Sequence, residues 1–155
     1  MAAILIVAHA PLGSGFVEMS HHLETPERVR VHALDVPRDE PREVTARAVD
    51  AAIAALADDE VLVLTDTKGG TPCNVAYERV RGNPRVRVVC GLNLPMLWRA
   101  MWNAGQPLEA LASIAQIGGA KGIEVLVETP APQNQTQAPP RPRKADDQEP
   151  DHHQQ

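Results

Sequence analysis

Apolar residues occur along this chain in two kinds of pattern. Short continuous runs, at 4–8 and 61–65, are typical of strands that are buried on both faces of a sheet. Between the runs, apolar residues recur every three or four positions, as at Phe16, Met19 and Leu23, which indicates helices with one buried face. The chain is therefore predicted to alternate strands and helices.

The elements predicted in this way follow one another in a regular order. Strands are predicted at 4–8, 29–36, 61–65 and 86–90, and helices around 16–23 and at 41–57, 71–81, 95–103 and 107–116. Thr71 is predicted to be the N-cap of the third helix, with Pro72 at its first position. A last segment at 123–128 alternates apolar and polar residues, which predicts an edge strand or a strand exchanged with a partner chain.

This order of elements predicts the fold class. Strand–helix–strand units have right-handed crossovers, which produce a parallel sheet with helices on both faces. We expect a doubly wound, flavodoxin-like α/β fold with a mostly parallel sheet in the order 2-1-3-4. The composition changes near Thr129, so residues 1–129 are predicted to form one domain. Residues 130–155 are rich in Pro, Gln and charge and are predicted to be a disordered tail.

Charge and composition exclude several classes of function. The formal net charge is −5, which argues against a general nucleic-acid binder, since such proteins need a basic face. No apolar run approaches the roughly 20 residues of a membrane span, and residues 1–8 lack the basic start of a signal peptide. Cys73 and Cys90 form no CxxC pair and are expected to be small buried residues. We therefore expect a cytoplasmic protein without stable membrane insertion.

Two chemically active residues follow strands that should be neighbours in the sheet. In an open α/β sheet the functional crevice lies beyond the carboxyl ends of the strands, where the strand order reverses. Strand one delivers His9 to this point, and strand three delivers Asp66. A carboxylate that accepts from one ring nitrogen fixes the tautomer and leaves the other nitrogen as a nucleophile. The topology therefore predicts a nucleophilic His9 that is oriented by Asp66.

The residues after Asp66 add features of an anion site. The loop consists of Thr67, Lys68, Gly69, Gly70 and Thr71, and the helix that follows it has unpaired N–H groups that favour an anion. Taken one at a time, these features have ordinary readings: a histidine at a strand end is usually structural, and a Gly-Gly-Thr-Pro segment is often only a loop. Together they indicate phosphate chemistry on a histidine, with no metal and no cofactor. The loop matches neither a P-loop nor a dinucleotide-binding motif.

Three segments of the chain stand out as motifs. They are ILIVAHA at 4–10, VLVLTDTKGGTPCN at 61–74 and GLNLPML at 91–97. In this order and spacing they resemble mannose-type enzyme IIA proteins of the bacterial phosphoenolpyruvate-dependent sugar phosphotransferase system. The resemblance covers residues 1 to about 128.

This resemblance implies a function, partners and an assembly. His9 would be phosphorylated, Asp66 would orient it, and the Thr71 hydroxyl would lie near the phosphate. Asn74 and Asn93 are motif positions that could support the surrounding loops, although a capping or turn role is an equal alternative. The family's phosphoryl donor is the phosphocarrier protein HPr, and its usual acceptor is a IIB component that works with a membrane permease complex. Its members form homodimers in which the last strand is exchanged.

Several features leave alternatives open. Ala8 and Ala10 flank His9, where many family members have threonine and glycine, and Lys68 replaces a common aromatic residue. The first alternative is a regulatory phosphoprotein without a dedicated permease. The second is the phosphoryl-donor subunit of a dihydroxyacetone kinase, which has the same fold.

Overall fold

The computed structural model describes residues 1–127. Residues Met1–Glu124 form one compact unit. Each strand of this unit is followed by a helix, as the sequence pattern predicts. The strands are β1 (Ala3–His9), β2 (Val31–Val36), β3 (Val61–Thr65) and β4 (Val86–Cys90), and the helices are α1 (Leu12–Ser20), α2 (Arg42–Ala55), α3 (Thr71–Val80), α4 (Leu94–Trp102) and α5 (Leu108–Lys121).

The four strands form one parallel sheet in the order β2-β1-β3-β4, which confirms the predicted fold class. β1 lies in the middle of the sheet, where His9 is opposite Val36 of β2, and Val7 is opposite Thr65 of β3. Because the strands are parallel, their carboxyl ends lie at one edge of the sheet. His9, which ends β1, and Asp66, which follows β3, therefore both lie at that edge.

Two aliphatic layers, one on each face of the sheet, bury the apolar residues of β1. Ile4, Ile6 and Ala8 pack on one face with residues of α4 and α5, and α1 covers part of the same layer. Leu5 and Val7 pack on the other face with residues of α2 and α3. Fully burying one such side chain stabilises the fold by about 1.5–3 kcal/mol. The burial holds the end of β1, and with it the backbone of His9, in a fixed place.

The last predicted strand is not formed within the chain. Residues 123–127 have no regular secondary structure, and Ile123 is 78 % exposed. The prediction of an edge strand in the same chain is therefore wrong for these five residues, since an alternating pattern forms a strand only where it finds a pairing partner. Exchange with a second copy stays a prediction. Glu128 and the predicted tail at 130–155 lie outside the described residues.

Several smaller predictions also need correction. Gly70, with φ −71° and ψ 158°, is the N-cap of α3, and Thr71 is its first helical residue. The fifth helix continues past Gln116 to Lys121, and β2 begins at Val31. Cys73 and Cys90 are free thiols and only half-buried. In residues 1–127, none of the helices has the length and apolar character needed to cross a membrane.

Candidate active site

His9 stands at the mouth of the crevice because β1 ends there. The six residues before it in β1 are buried, whereas 46 % of the His9 side chain is exposed. The next residue, Ala10, donates its N–H to the carbonyl of Val36 at 3.0 Å, which holds the chain against β2 as it leaves the sheet. The imidazole is therefore accessible to a partner molecule while its backbone is fixed.

Asp66 holds the imidazole through a single carboxylate oxygen. Asp66 Oδ2 accepts the backbone N–H of His9 at 2.9 Å and lies 2.7 Å from His9 Nδ1. The other oxygen, Oδ1, accepts the N–H of Thr67 at 2.8 Å. A carboxylate can only accept, so an ionised Asp66 requires the proton on Nδ1 and leaves the lone pair on Nε2. The structure thus brings together the two residues that the topology predicts.

Asp66 is arranged to stay ionised. Burial of its carboxyl, which is 9 % exposed, works to raise its pKa. The hydrogen bonds from the His9 N–H, the His9 ring and the Thr67 N–H outweigh that effect, so the pKa of Asp66 lies below its usual value. Near neutral pH the carboxylate is therefore charged and can stabilise positive charge on the imidazole.

Gly70 brings the start of α3 against the free side of the His9 ring. A Cβ atom on Gly70 would lie 3.0 Å from His9 Cε1 and 3.8 Å from Nε2. Gly69 has a φ of +86°, which favours glycine, and its carbonyl accepts the side-chain amide of Asn74 at 3.0 Å. The Gly70 N–H donates to the carbonyl of Thr67 at 3.1 Å. The two glycines thus permit the turn and the close approach, and Asn74 fastens the loop.

The first N–H groups of α3 are not capped by a side chain, in contrast to those of α1 and α4. The Ser14 N–H of α1 donates to Asp35 Oδ1 at 3.1 Å, and the Met96 N–H of α4 donates to Asn93 Oδ1 at 2.9 Å. Gly70 offers no side chain. Within residues 1–127, no acceptor is hydrogen-bonded to the first N–H groups of α3, and Pro72 has none to offer. A helix start of this kind attracts anions.

The other site residues that the sequence predicts do not all lie near the His9–Asp66 pair. Thr67 and Lys68 are exposed on the loop between Asp66 and α3, and Thr71 is exposed at the first position of α3. Asn93, in contrast, serves the fold, because its side chain caps α4 and donates through Nδ2 to the carbonyl of Gly119 at 3.2 Å. The structure does not join it to the His9–Asp66 pair.

Asp35 is a residue that the sequence reasoning missed. It lies near the end of β2, and its carboxylate holds the start of α1 just after His9. A Cβ on Gly13 would lie 2.7 Å from Asp35 Oδ1, so the small residue at this position admits the carboxylate. The rule that found Asp66, an acidic residue at the carboxyl end of a strand beside β1, would also have found Asp35. No group of three or more potential metal-ligating side chains occurs among residues 1–127.

Comparison with known proteins assigns the chain to a family. Residues 3–117 match the family model described as the PTS (phosphotransferase system) fructose IIA component. Among solved structures, the chain is similar to phosphotransferase system component EIIA from Streptococcus agalactiae, with 25 % identity and a TM-score of 0.69 over 81 % of this chain and 97 % of that one.

Two further structures are similar. The first is the PTS IIA protein associated with the fucose utilization operon of Streptococcus pneumoniae, with 29 % identity and a TM-score of 0.63 over 76 % of this chain and 93 % of that one. The second is the mannose/sorbose-specific IIA subunit from Enterococcus faecalis, which shares the fold at 22 % identity and a TM-score of 0.71 over 83 % of this chain and 96 % of that one. The chain belongs to the mannose/fructose-type IIA components of the sugar phosphotransferase system.

Proposed function

We propose that this chain is a phosphoryl carrier in phosphoenolpyruvate-dependent sugar uptake. His9 accepts a phosphoryl group from phospho-HPr and passes it to a IIB component. One observation carries the proposal: His9 Nδ1 lies 2.7 Å from the Asp66 carboxylate, while the free side of the ring faces the uncapped start of α3. The proposed nucleophile thus lies next to a helix start of the kind that attracts anions.

The proposed transfer begins with attack by the lone pair of Nε2. A bond between Nε2 and phosphorus forms as the bond between phosphorus and the nitrogen of the donor's phosphohistidine breaks, and that nitrogen regains its lone pair. The proton on Nδ1 stays hydrogen-bonded to Asp66, whose negative charge offsets the positive charge that the ring gains. Transfer to the acceptor is the same step in reverse.

The phosphoryl oxygens would be stabilised by the loop after Asp66. Catalysis of phosphoryl transfer consists mainly of positioning and charge stabilisation. The free N–H of Thr71 and its hydroxyl supply hydrogen-bond donors, and the exposed Lys68 supplies a positive charge. Gly69 and Gly70 keep side chains out of the space that the phosphoryl group would occupy.

We further propose that two copies associate through the segment at 123–128, as the family resemblance implies. The phosphoryl transfer is proposed to take place in the cytoplasm. Support for the association comes from the exposure of Ile123, Val125, Leu126 and Val127, which lies between 75 % and 91 %. Four of the five residues at 123–127 are apolar, and their side chains would gain from burial against a second copy.

Phosphorylation in a reconstituted system tests the proposal. The full chain, a His9→Ala variant and a His22→Ala variant are each incubated with labelled phosphoenolpyruvate, enzyme I and HPr. His22 is an exposed histidine just after α1 and serves as the matched control. We expect an acid-labile, alkali-stable label on the native chain and on His22→Ala only. A labelled His9→Ala variant, or a folded native chain without label, would contradict the proposal.

A further inference from the structure

A cavity lies toward the opposite end of the sheet from His9. Its volume is about 450 Å³, it is open to solvent on one side, and it is bordered by the end of α1, the loop after it and the start of β2. The cavity borders Val31, which is opposite Ile4 of β1, whereas His9 is opposite Val36. Five residues of strand separate these two positions, or roughly 17 Å. The cavity is therefore distinct from the His9 site.

The floor of the cavity is apolar. It consists of Leu23, Val29, Val31 and Met101, all of which pack against the core on the α1 face of the sheet. Small-molecule sites commonly combine such a floor with a few polar groups that fix the ligand's orientation. The floor would suit the apolar part of a small molecule.

The rim of the cavity is basic. His21, Arg28, Arg30 and His32 contribute to its lining, and all four are exposed. Arg30 pairs with Asp59, whereas Arg28 forms no ion pair with any residue in 1–127. No aspartate or glutamate is among the described lining residues, although the whole chain has a net charge of −5. The charged side chains that line the cavity are thus basic, although the protein as a whole is acidic.

We propose that this cavity binds a small organic phosphate. The guanidinium of Arg28 presents a planar set of donors that matches a phosphate. The organic part of the ligand lies on the apolar floor. Charged residues near the edge strand β2 also prevent pairing with other chains, but that purpose requires neither a cavity nor an apolar floor.

A titration with phenyl phosphate tests this inference on the full chain. Binding is followed by the amide shifts of the ¹⁵N-labelled protein, with inorganic phosphate and phenol as probes of the charge and of the ring alone. We expect phenyl phosphate to shift amides in residues 20–32 and to bind more tightly than either of the other two. Arg28→Ala should weaken binding about tenfold, since it removes a charge-assisted contact.

The control is Arg47→Ala, which removes the same charge from an exposed position on α2 that forms no ion pair within residues 1–127. We expect it to leave the affinity unchanged. If Arg28→Ala and Arg47→Ala weakened phenyl phosphate binding equally, the change in net charge alone would explain the loss, and the inference would be overturned. Shifts confined to residues 66–74 would do the same, because the probe would then occupy only the His9 site.

Discussion

Replacing Gly70 with alanine tests whether the start of α3 touches the reacting face of His9. The new Cβ would lie 3.0 Å from His9 Cε1 and 3.3 Å from the carbonyl oxygen of Thr67. The backbone of Gly70, at φ −71° and ψ 158°, is accessible to alanine without strain. The perturbation is therefore a steric contact with the ring and not a change in the loop's conformation.

The size of the effect follows from that contact. An ordinary carbon–carbon contact is at least about 3.5 Å, so the ring must retreat by a few tenths of an ångström. A misplacement of 1 Å can cost about a hundredfold in rate. The added methyl group would also lie 3.8 Å from Nε2, the atom that attacks phosphorus in the proposed transfer. We therefore expect Gly70→Ala to slow phosphorylation of His9 by about five- to thirtyfold.

The assay is the initial rate of label transfer from phospho-HPr, measured with limiting IIA chain. The matched control is Gly105→Ala, where an added Cβ would have no heavy atom within 4 Å. Thermal melting checks that both variants are folded. Equal rates for Gly70→Ala and the native chain would refute the reasoning, since the ring would then not be held against the start of α3.

Three further substitutions test the site and its supports. Asp66→Asn should slow transfer about tenfold. Because the pKa of Asp66 is lowered in the folded protein, the stability that its carboxylate contributes is complete above the usual pKa of about 4 and is lost as pH falls through the folded value. The melting curves of the native and variant chains should therefore converge in acid. Asn93→Ala removes the acceptor of the Met96 N–H and should lower the free energy of unfolding in urea by about 0.5–2 kcal/mol. Phosphorylation of His9 should persist in this variant. Gly122→Ala would place a Cβ 2.3 Å from Cγ of Pro95 and should cost about 1–3 kcal/mol, measured in the same way.

The pairing of His9 and Asp66 could be anticipated because it depends on topology alone. Continuous apolar runs identify β1 and β3 as buried strands, and the order of strands and helices places their carboxyl ends side by side. No detail of packing enters this step. The 2.7 Å contact between His9 Nδ1 and Asp66 Oδ2 could not be anticipated, because it depends on side-chain geometry.

The end of α5 shows why local propensity was insufficient. Gly118 and Gly119 lower helix propensity and therefore suggest that the helix ends near Gln116. In the structure, a Cβ on Gly118 would lie 2.5 Å from Cγ of Arg99, and one on Gly119 would lie 2.8 Å from Cε of Met96. The two glycines are thus contact positions where α4 crosses α5 closely. Tertiary packing keeps the helix intact against its local preference.

The cap of α3 shows the same kind of conflict at the active site. Serine, threonine, aspartate and asparagine are the preferred N-cap residues, and Thr71 was therefore assigned this role in the sequence prediction. The cap is Gly70 instead, which gives up only a few tenths of a kcal/mol relative to those residues. A capping side chain would occupy the free N–H groups of α3 and also the space beside His9 Nε2. The transfer proposed for His9 would need both the free N–H groups and this space, so the proposal is consistent with a glycine at this cap.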